Sequence, residues 1–151
     1  MDDFTSDIST TGTISVAGSA VGVIETGEDM DWFRIDLQAD TIYEIAQTGD
    51  FDTYLRGIHD AAGVFQTGTL DDDSGPGLDS LVTFSTPVSG TFYISAGSFS
   101  THVGSYTLSV ETVAQSLIGT PGDDILTAVL TDRYYIEGND GNDTLTGGAQ
   151  N

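Results

Sequence analysis

The sequence predicts an all-β protein: an antiparallel β-sandwich or jelly roll followed by a short, partial parallel β-roll. Three observations carry this prediction. Short runs of alternating apolar and polar residues fill the first part of the chain, turn residues separate these runs at fairly regular spacing, and helical periodicity is nearly absent. The C-terminal part instead repeats a glycine- and aspartate-bearing nonapeptide, which is typical of a parallel β-helix. We therefore assign the sandwich to 1–113 and the repeat segment to 114–151.

Alternation defines the strands of the sandwich. In Trp32–Leu37 it is clearest, because Phe33, Ile35 and Leu37 share one face. The predicted strands are 13–17, 20–25, 32–37, 41–47, 53–59, 63–67, 78–85, 91–96 and 105–110. We expect the first two to form a pair broken by Gly18, and 53–59 to form a hairpin with 63–67. Eight or nine short strands are typical of one sandwich domain with its own core.

The composition narrows the possible partners. The chain has 24 acidic residues, three Arg and no Lys, and its formal charge is -21. We expect no nucleic-acid binding and no membrane insertion, because anionic partners need basic surface and no apolar span is present. Divalent cations are the favoured partners; an acidic surface evolved for solubility is the alternative. Without Cys the chain has no disulfide, and a bound metal can replace that cross-link.

The nonapeptide occurs twice, at Gly119–Thr127 and at Gly138–Thr146, with Gly at positions 1 and 4, Asp at 6, Leu at 8 and Thr at 9. Glycine allows the tight turns that direct carbonyls inward, and Ca²⁺ takes six to eight oxygen ligands. We therefore predict Ca²⁺ as the cofactor, bound by the two glycine loops, 119–124 and 138–143. The predicted direct ligands are the carboxylates of Asp124 and Asp143. Backbone carbonyls of the two loops complete the coordination shell, and the glycines of these loops are Gly119, Gly122, Gly138 and Gly141. Additional candidate ligands are Asp123, Asp140 and Asn142.

These repeats resemble those of the repeats-in-toxin (RTX) family. The resemblance implies that two nonapeptides form one coil, so that loops one coil apart stack and share an ion. It also implies export by type I secretion to the extracellular medium. Gly119 and Gly138 are 19 residues apart, which places the two loops on the same side of the roll. The intervening stretch Ala128–Glu137 has no glycine, so we expect no metal loop there and allow for a bulge. A pair of ordinary Asx turns is the alternative.

The first domain carries a second resemblance. The segment Gly27–Leu37 is similar to the GDxDWFxxxL strand of the bacterial pre-peptidase C-terminal domain. Further segments match in order: Asp52–Leu55, Asp60–Gly63, Leu70–Asp73, Ser89–Ile94 and Gly104–Val110. The resemblance implies a β-sandwich appended to secreted peptidases and other exported proteins. This domain also resembles the collagen-binding domains of bacterial collagenases, some of which bind calcium.

Two acidic clusters in the sandwich are further candidates for metal binding. Clustered carboxylates repel one another unless a cation or solvent separates them. The candidate residues are Glu28, Asp29 and Asp31 in one cluster and Asp71, Asp72 and Asp73 in the other. The alternative is that both are solvated loops. For Asp31 a third possibility is a carboxylate that accepts backbone N–H groups and fixes the turn before Trp32.

Nothing in the sequence marks a catalytic site. His59 and His102 lie outside any HExxH motif, no Gly-x-Ser-x-Gly elbow occurs, and thiol and Schiff-base chemistry need Cys and Lys. We predict a non-catalytic, calcium-binding extracellular accessory module of a larger secreted protein. One alternative is an adhesin or matrix subunit whose sandwich binds an extracellular polymer or another copy of the chain. Another is a targeting or regulatory domain of a secreted peptidase. Candidate aromatic binding residues are Trp32, Tyr43, Tyr54, Tyr93 and Phe99.

Overall fold

The computed structural model describes residues 3–113, 115–127 and 134–146, and all regular elements in those residues are β-strands. They belong to two compact units, Met1–Glu111 and Thr112–Asn151. The all-β class predicted from the sequence is confirmed. Within the described ranges, no helix has the length and hydropathy that a bilayer span requires.

Two four-stranded sheets form the first unit. Its strands are β1 (Gly12–Thr13), β2 (Gly18–Ile24), β3 (Asp31–Leu37), β4 (Ile42–Gly49), β5 (Thr53–Asp60), β6 (Ser80–Ser85), β7 (Gly90–Ser98) and β8 (Gly104–Thr112). Sheet I has the order β1-β3-β7-β5, and sheet II has the order β2-β8-β4-β6. The pairs β3–β7, β5–β7, β2–β8 and β4–β6 are antiparallel, as the sandwich prediction requires.

The core lies between the inner faces of these sheets. Phe33, Ile35 and Leu37 are each 1% exposed, so the face predicted from alternation in β3 is confirmed. Each buried side chain of this size stabilises the fold by roughly 1.5–3 kcal/mol relative to exposure. Apolar residues with no exposed surface complete the centre: Ile24, Ile45, Ile94, Ala96, Leu108 and Val110.

A buried polar seam joins the two sheets at one end of the core. The Gln47 side chain on β4 donates from Nε2 to the Gly97 carbonyl on β7 at 2.7 Å. The Thr53 hydroxyl donates to the Gln47 carbonyl at 3.0 Å and lies 2.9 Å from the Ser80 hydroxyl. Gln47, Thr53 and Ser80 have no exposed surface. Such polar groups are tolerated inside the protein because their hydrogen bonds are made.

One local prediction for the sandwich was wrong, and one was confirmed only in part. The segments around Gly18 do not pair with each other: β1 lies parallel to β3, whereas β2 pairs with β8. Residues 63–67 form no second hairpin strand and contribute one isolated bridge, His59 to Phe65. The first prediction failed because neighbouring alternating runs satisfy the same pattern whether they pair with each other or with distant strands.

The second unit contains two pairs of parallel strands. β9 (Gln115–Ile118) pairs with β11 (Tyr134–Glu137), and β10 (Ile125–Thr127) pairs with β12 (Thr144–Thr146). Register joins Gln115 to Tyr134 and Ile125 to Thr144, a constant offset of 19 residues. The prediction of a short, partial parallel roll is thereby confirmed. Of the stretch predicted to lack a metal loop, 128–133 lies outside the described residues, and Tyr134–Glu137 is a strand.

Candidate functional site

The two glycine loops connect the paired strands of the second unit, 119–124 between β9 and β10 and 138–143 between β11 and β12. Parallel strands in constant register bring equivalent loop positions next to each other. Gly119 donates its N–H to the Glu137 carbonyl at 2.7 Å, and Thr144 donates to the Asp124 carbonyl at 2.8 Å. The loops are therefore hydrogen-bonded to each other at both ends.

Aspartate and asparagine side chains tie one loop to the other. Asp124 donates its backbone N–H to Asp143 Oδ1 at 3.0 Å, and Asn142 donates its own to Asp123 Oδ1 at 2.8 Å. The Asn139 amide donates from Nδ2 to the Gly119 carbonyl at 2.6 Å, with Asn139 itself at a φ of 63°. Each bond crosses from one loop to its neighbour. The side chains thus do more than close turns within their own loops.

Glycine is required where the loops approach most closely. A Cβ on Gly119 would lie 2.6 Å from the Gly138 carbonyl oxygen and 2.8 Å from Asp124 Oδ2. A Cβ on Gly141, where φ is 137°, would lie 2.6 Å from the Gly122 carbonyl oxygen. At Gly138 a Cβ would collide with the Asp143 carboxylate. Carbonyl and carboxylate oxygens therefore occupy the space that side chains would fill.

The donor set of the two loops fits a hard cation. Carboxylate, carbonyl and amide oxygens are the ligands that Ca²⁺ prefers. No group of three or more His, Asp or Glu side chains converges as a metal site within 3–113, 115–127 and 134–146. The Asp124 carboxylate also accepts the Thr120 N–H at 2.6 Å within its own loop, so a calcium ion held by Asp124, Asp143 and loop carbonyls stays a prediction. Asp140, which was predicted as a helper, is exposed.

In the sandwich, Asp31 has an unusual environment. It has no exposed surface; its Oδ2 accepts the Tyr106 hydroxyl at 2.6 Å, and its Oδ1 is buried without a described hydrogen-bond partner. Burial raises the pKa of Asp31 to about 8, the Tyr106 bond acts to lower it, and the charges of Asp3 and Asp29 raise it further. Unlike the predicted turn-fixing carboxylate, Asp31 accepts a side-chain hydroxyl from 75 residues away.

The residues that form the first acidic cluster in the structure are not the same as the predicted Glu28, Asp29 and Asp31. Asp29 Oδ2 accepts the Glu25 N–H at 3.0 Å, and the pKa of Glu25 is raised by its side-chain bond to Asp29, by burial, and by the charges of Asp29 and Asp3. Glu28 is exposed. The structure therefore associates Asp29 and Asp31 with Asp3 and Glu25. Sequence reasoning missed Glu25, and it did not place Asp3 beside this cluster because spacing along the chain does not show which loops meet.

The second acidic cluster fixes its own loop. Asp71 Oδ2 accepts the backbone N–H groups of Ser74 at 3.1 Å and Leu81 at 2.8 Å. Asp72 Oδ1 accepts the N–H of Asp73 at 3.0 Å. The pKa of Asp73 is raised by desolvation and then by the charges of Asp72, Asp52 and Asp71. These bonds fit the solvated-loop alternative, with Asp71 stabilising the approach to β6.

The exposed aromatic strip considered from the sequence is largely absent from the described surface. Tyr43 is 1% exposed and belongs to the core, while Trp32 and Tyr93 are 8% exposed. The latter two lie outside the main core, on the outer face of sheet I, where Trp32 stacks on His59 with 4.0 Å between ring centroids. Phe99 is 46% exposed. His59 is thus half-buried, whereas His102 is exposed.

The sequence matches no protein-family model and no curated relative. Solved structures do match. One is the pre-peptidase C-terminal domain of a collagenase from Bacillus anthracis, with a TM-score of 0.53, 16% identity, and coverage of 66% of this chain and 92% of that chain. The first unit has the pre-peptidase C-terminal domain fold. Another match is a periplasmic inhibitor of g-type lysozyme from Aeromonas hydrophila, with a TM-score of 0.49, 19% identity, and coverage of 68% and 96%.

The pre-peptidase C-terminal domain fold accounts for how the Asp31 environment arises. β3 begins at Asp31, so the first residue of a core strand carries a carboxyl into the interior. Its hydroxyl partner, Tyr106, lies on β8 in the other sheet. The sandwich architecture therefore brings together two groups that no local motif connects.

Proposed function

We propose that the chain is a non-catalytic, calcium-binding accessory module of a larger secreted protein and that it works in the extracellular medium. The constant 19-residue register that stacks the two glycine loops is the observation that carries this proposal. It is supported by the oxygen-only donor set of those loops. The pre-peptidase C-terminal domain fold supports the accessory role, because the similar domain is part of a collagenase.

Calcium would act on this chain by neutralising charge and by cross-linking the loops. With a formal charge of -21, the chain repels itself, and closure of the roll brings further carboxylates together. In a low-calcium cytosol the roll is therefore expected to be unfolded. Outside the cell, millimolar calcium supplies folding free energy, in the affinity range of extracellular modules. Export by type I secretion, in which an unfolded roll passes through the membrane, is part of the same proposal.

Titration calorimetry of chelated protein with calcium tests this assignment. We expect wild type to bind, and Asp124→Ala and Asp143→Ala to lose affinity at the roll by at least about tenfold, because each removes a direct ligand. Glu44→Gln serves as the matched control, since Glu44 is exposed on β4 and distant in sequence from the loops. Equal stoichiometry and affinity in wild type and both alanine variants would exclude the roll as the site.

A second ion is proposed at Asp31. The burial of Asp31 and the neighbouring carboxylates of Asp3 and Asp29 favour a bound cation there, because a cation would offset the cost of ionising the Asp31 carboxyl. Asp31→Asn should lower the calcium stoichiometry without changing the affinity of the roll. For Asp71, Asp72 and Asp73 the same proposal is weaker, because Asp71 already bonds backbone N–H groups.

A targeting or regulatory role in a secreted peptidase is the second candidate function, favoured by the similarity to the collagenase domain. A peptidase whose activity or binding to a protein fibre changes when this module is removed would support it. The adhesin alternative, in which the sandwich binds a polymer or another copy of the chain, predicts concentration-dependent assembly. Sedimentation at several calcium concentrations distinguishes this alternative from a monomeric module.

A further inference from the structure

A small aromatic cluster lies on the outer face of sheet I, separate from the main core. We define this outer aromatic cluster as Trp32, His59, Phe65 and Tyr93. The 61–70 loop covers it: Gln66 donates its N–H to the Ile58 carbonyl at 2.8 Å, and the Phe65 ring fills the space above Gly57 that any side chain there would occupy. Trp32 and Tyr93 are only 8% exposed although they face away from the core, and Tyr93 is also covered by the N-terminal segment, where its hydroxyl donates to the Ile8 carbonyl.

His59 is the contact between this loop and the sheet. Its ring stacks on Trp32 at 4.0 Å and 28°, and meets the Phe65 ring edge-on at 5.7 Å. Its Nδ1 lies 3.3 Å from the Gly63 carbonyl oxygen, so the neutral ring with a proton on Nδ1 donates a hydrogen bond to the loop. Desolvation lowers the pKa of His59, and the Gly63 bond and the Asp60 charge only partly oppose this effect.

The polar and charged side chains around His59 already have hydrogen-bond partners. Asp60 on β5 accepts two backbone N–H groups of the loop through Oδ1, each at 2.9 Å. Arg34 on β3 is bonded to Asp36 at 2.9 Å. The Tyr93 hydroxyl on β7 donates to the Ile8 carbonyl at 3.4 Å. The 61–70 loop has no ionisable side chain, and the Asp7 carboxylate of the N-terminal segment accepts the Ser9 hydroxyl and N–H.

We propose that His59 is a protonation-sensitive latch: when the imidazole gains a proton it leaves the stack, the 61–70 loop loosens, and Trp32 becomes exposed. The charged ring loses part of its hydration between the rings of Trp32 and Phe65, and this desolvation disfavours the protonated form in the closed position. Attraction of the cation to the Trp32 ring and to Asp60 opposes the release. The lowered pKa indicates that desolvation prevails.

The pH range follows from the direction of that shift. A histidine whose pKa is lower in the folded state stabilises the closed form fully above its ordinary pKa of about 6.5. This stability is lost as the pH falls from about 6.5 through the lowered pKa of His59. The latch is therefore closed in neutral medium and opens in acidified medium.

Trp32 is the sole tryptophan, so its fluorescence reports directly on the cluster. Acrylamide quenching should be measured from pH 7.5 to 5 at fixed calcium, with far-UV circular dichroism in parallel. We expect the quenching constant to rise roughly twofold or more in wild type as the covered ring meets solvent. His102→Gln should behave as wild type, because His102 is exposed. His59→Phe keeps an aromatic ring without a titrating group, so its quenching should stay low.

Native-state amide exchange gives a second readout that needs no variant. The protection factor of the Gln66 amide should fall with pH in wild type, while that of Phe33 in the β3–β7 pair stays constant. An equal rise in quenching in His59→Phe refutes the latch. Unchanged Trp32 quenching over a pH range in which NMR shows His59 gaining its proton also refutes the latch. A loss of far-UV signal would refute it too, because it would reveal global unfolding and not a local opening.

Discussion

Asp31→Asn should change the pH dependence of stability in calcium-free protein. Asp31 has no exposed surface, and its pKa is raised to about 8 chiefly by burial. An acid whose pKa is higher in the folded state binds its proton more tightly there. Its contribution to stability is fully present below the unfolded pKa of about 4 and is lost as the pH rises to about 8. Wild type without calcium should therefore become less stable between pH 5 and pH 8.

The size of the effect follows from the same two values. One pKa unit corresponds to about 1.4 kcal/mol, so integration between pH 5 and pH 8 gives a loss on the order of 4 kcal/mol. That is a large part of the 5–15 kcal/mol that stabilises an ordinary domain. Asparagine accepts the Tyr106 hydroxyl as the carboxyl does but does not ionise. The difference in unfolding free energy between Asp31→Asn and wild type should grow by this amount across the range.

Urea denaturation in chelator at pH 5, 6, 7 and 8 measures this difference, with Glu44→Gln as an exposed control. Added calcium should stabilise wild type at pH 8 more than it stabilises Asp31→Asn, because the ionised carboxyl is the stronger calcium ligand and the roll site is common to both. Parallel stability curves for wild type and Asp31→Asn from pH 5 to pH 8 would refute the reasoning.

Five further substitutions, two of them controls, test the packing of the sandwich by urea denaturation. Leu108→Ala should cost about 2–5 kcal/mol because Leu108 has no exposed surface, whereas Val88→Ala, at 64% exposed, should stay within about 0.5 kcal/mol. Gly57→Ala should cost more than Gly68→Ala, since both have positive φ but only Gly57 meets a ring; equal costs would contradict this packing. Gln47→Leu should cost about 1–3 kcal/mol by leaving a backbone carbonyl unpaired, and an unchanged midpoint would contradict the seam.

The pattern of residues along the chain was sufficient to predict the structure where interactions between sequence neighbours determine it. Alternation identified the buried face of β3, and the spacing of Gly119 and Gly138 predicted the 19-residue register. The same pattern failed to predict contacts between residues that are distant in the sequence. The parallel pairing of β1 with β3 and the Tyr106 hydroxyl on Asp31 depend on the assembled sandwich. Chain-local carboxylate spacing likewise cannot identify Asp3 as a neighbour of Asp31.

The pairing of β2 with β8 has a consequence for the order of folding. Gly18 lies beside Val110, so sheet II stays incomplete until almost the whole first unit has been synthesised. During that interval β2 has an unpaired edge and carries Val21, which is 71% exposed even in the finished protein. The roll differs, because each strand pairs with one 19 residues away. A chain delivered from its C-terminus would present the roll first and complete the sandwich last.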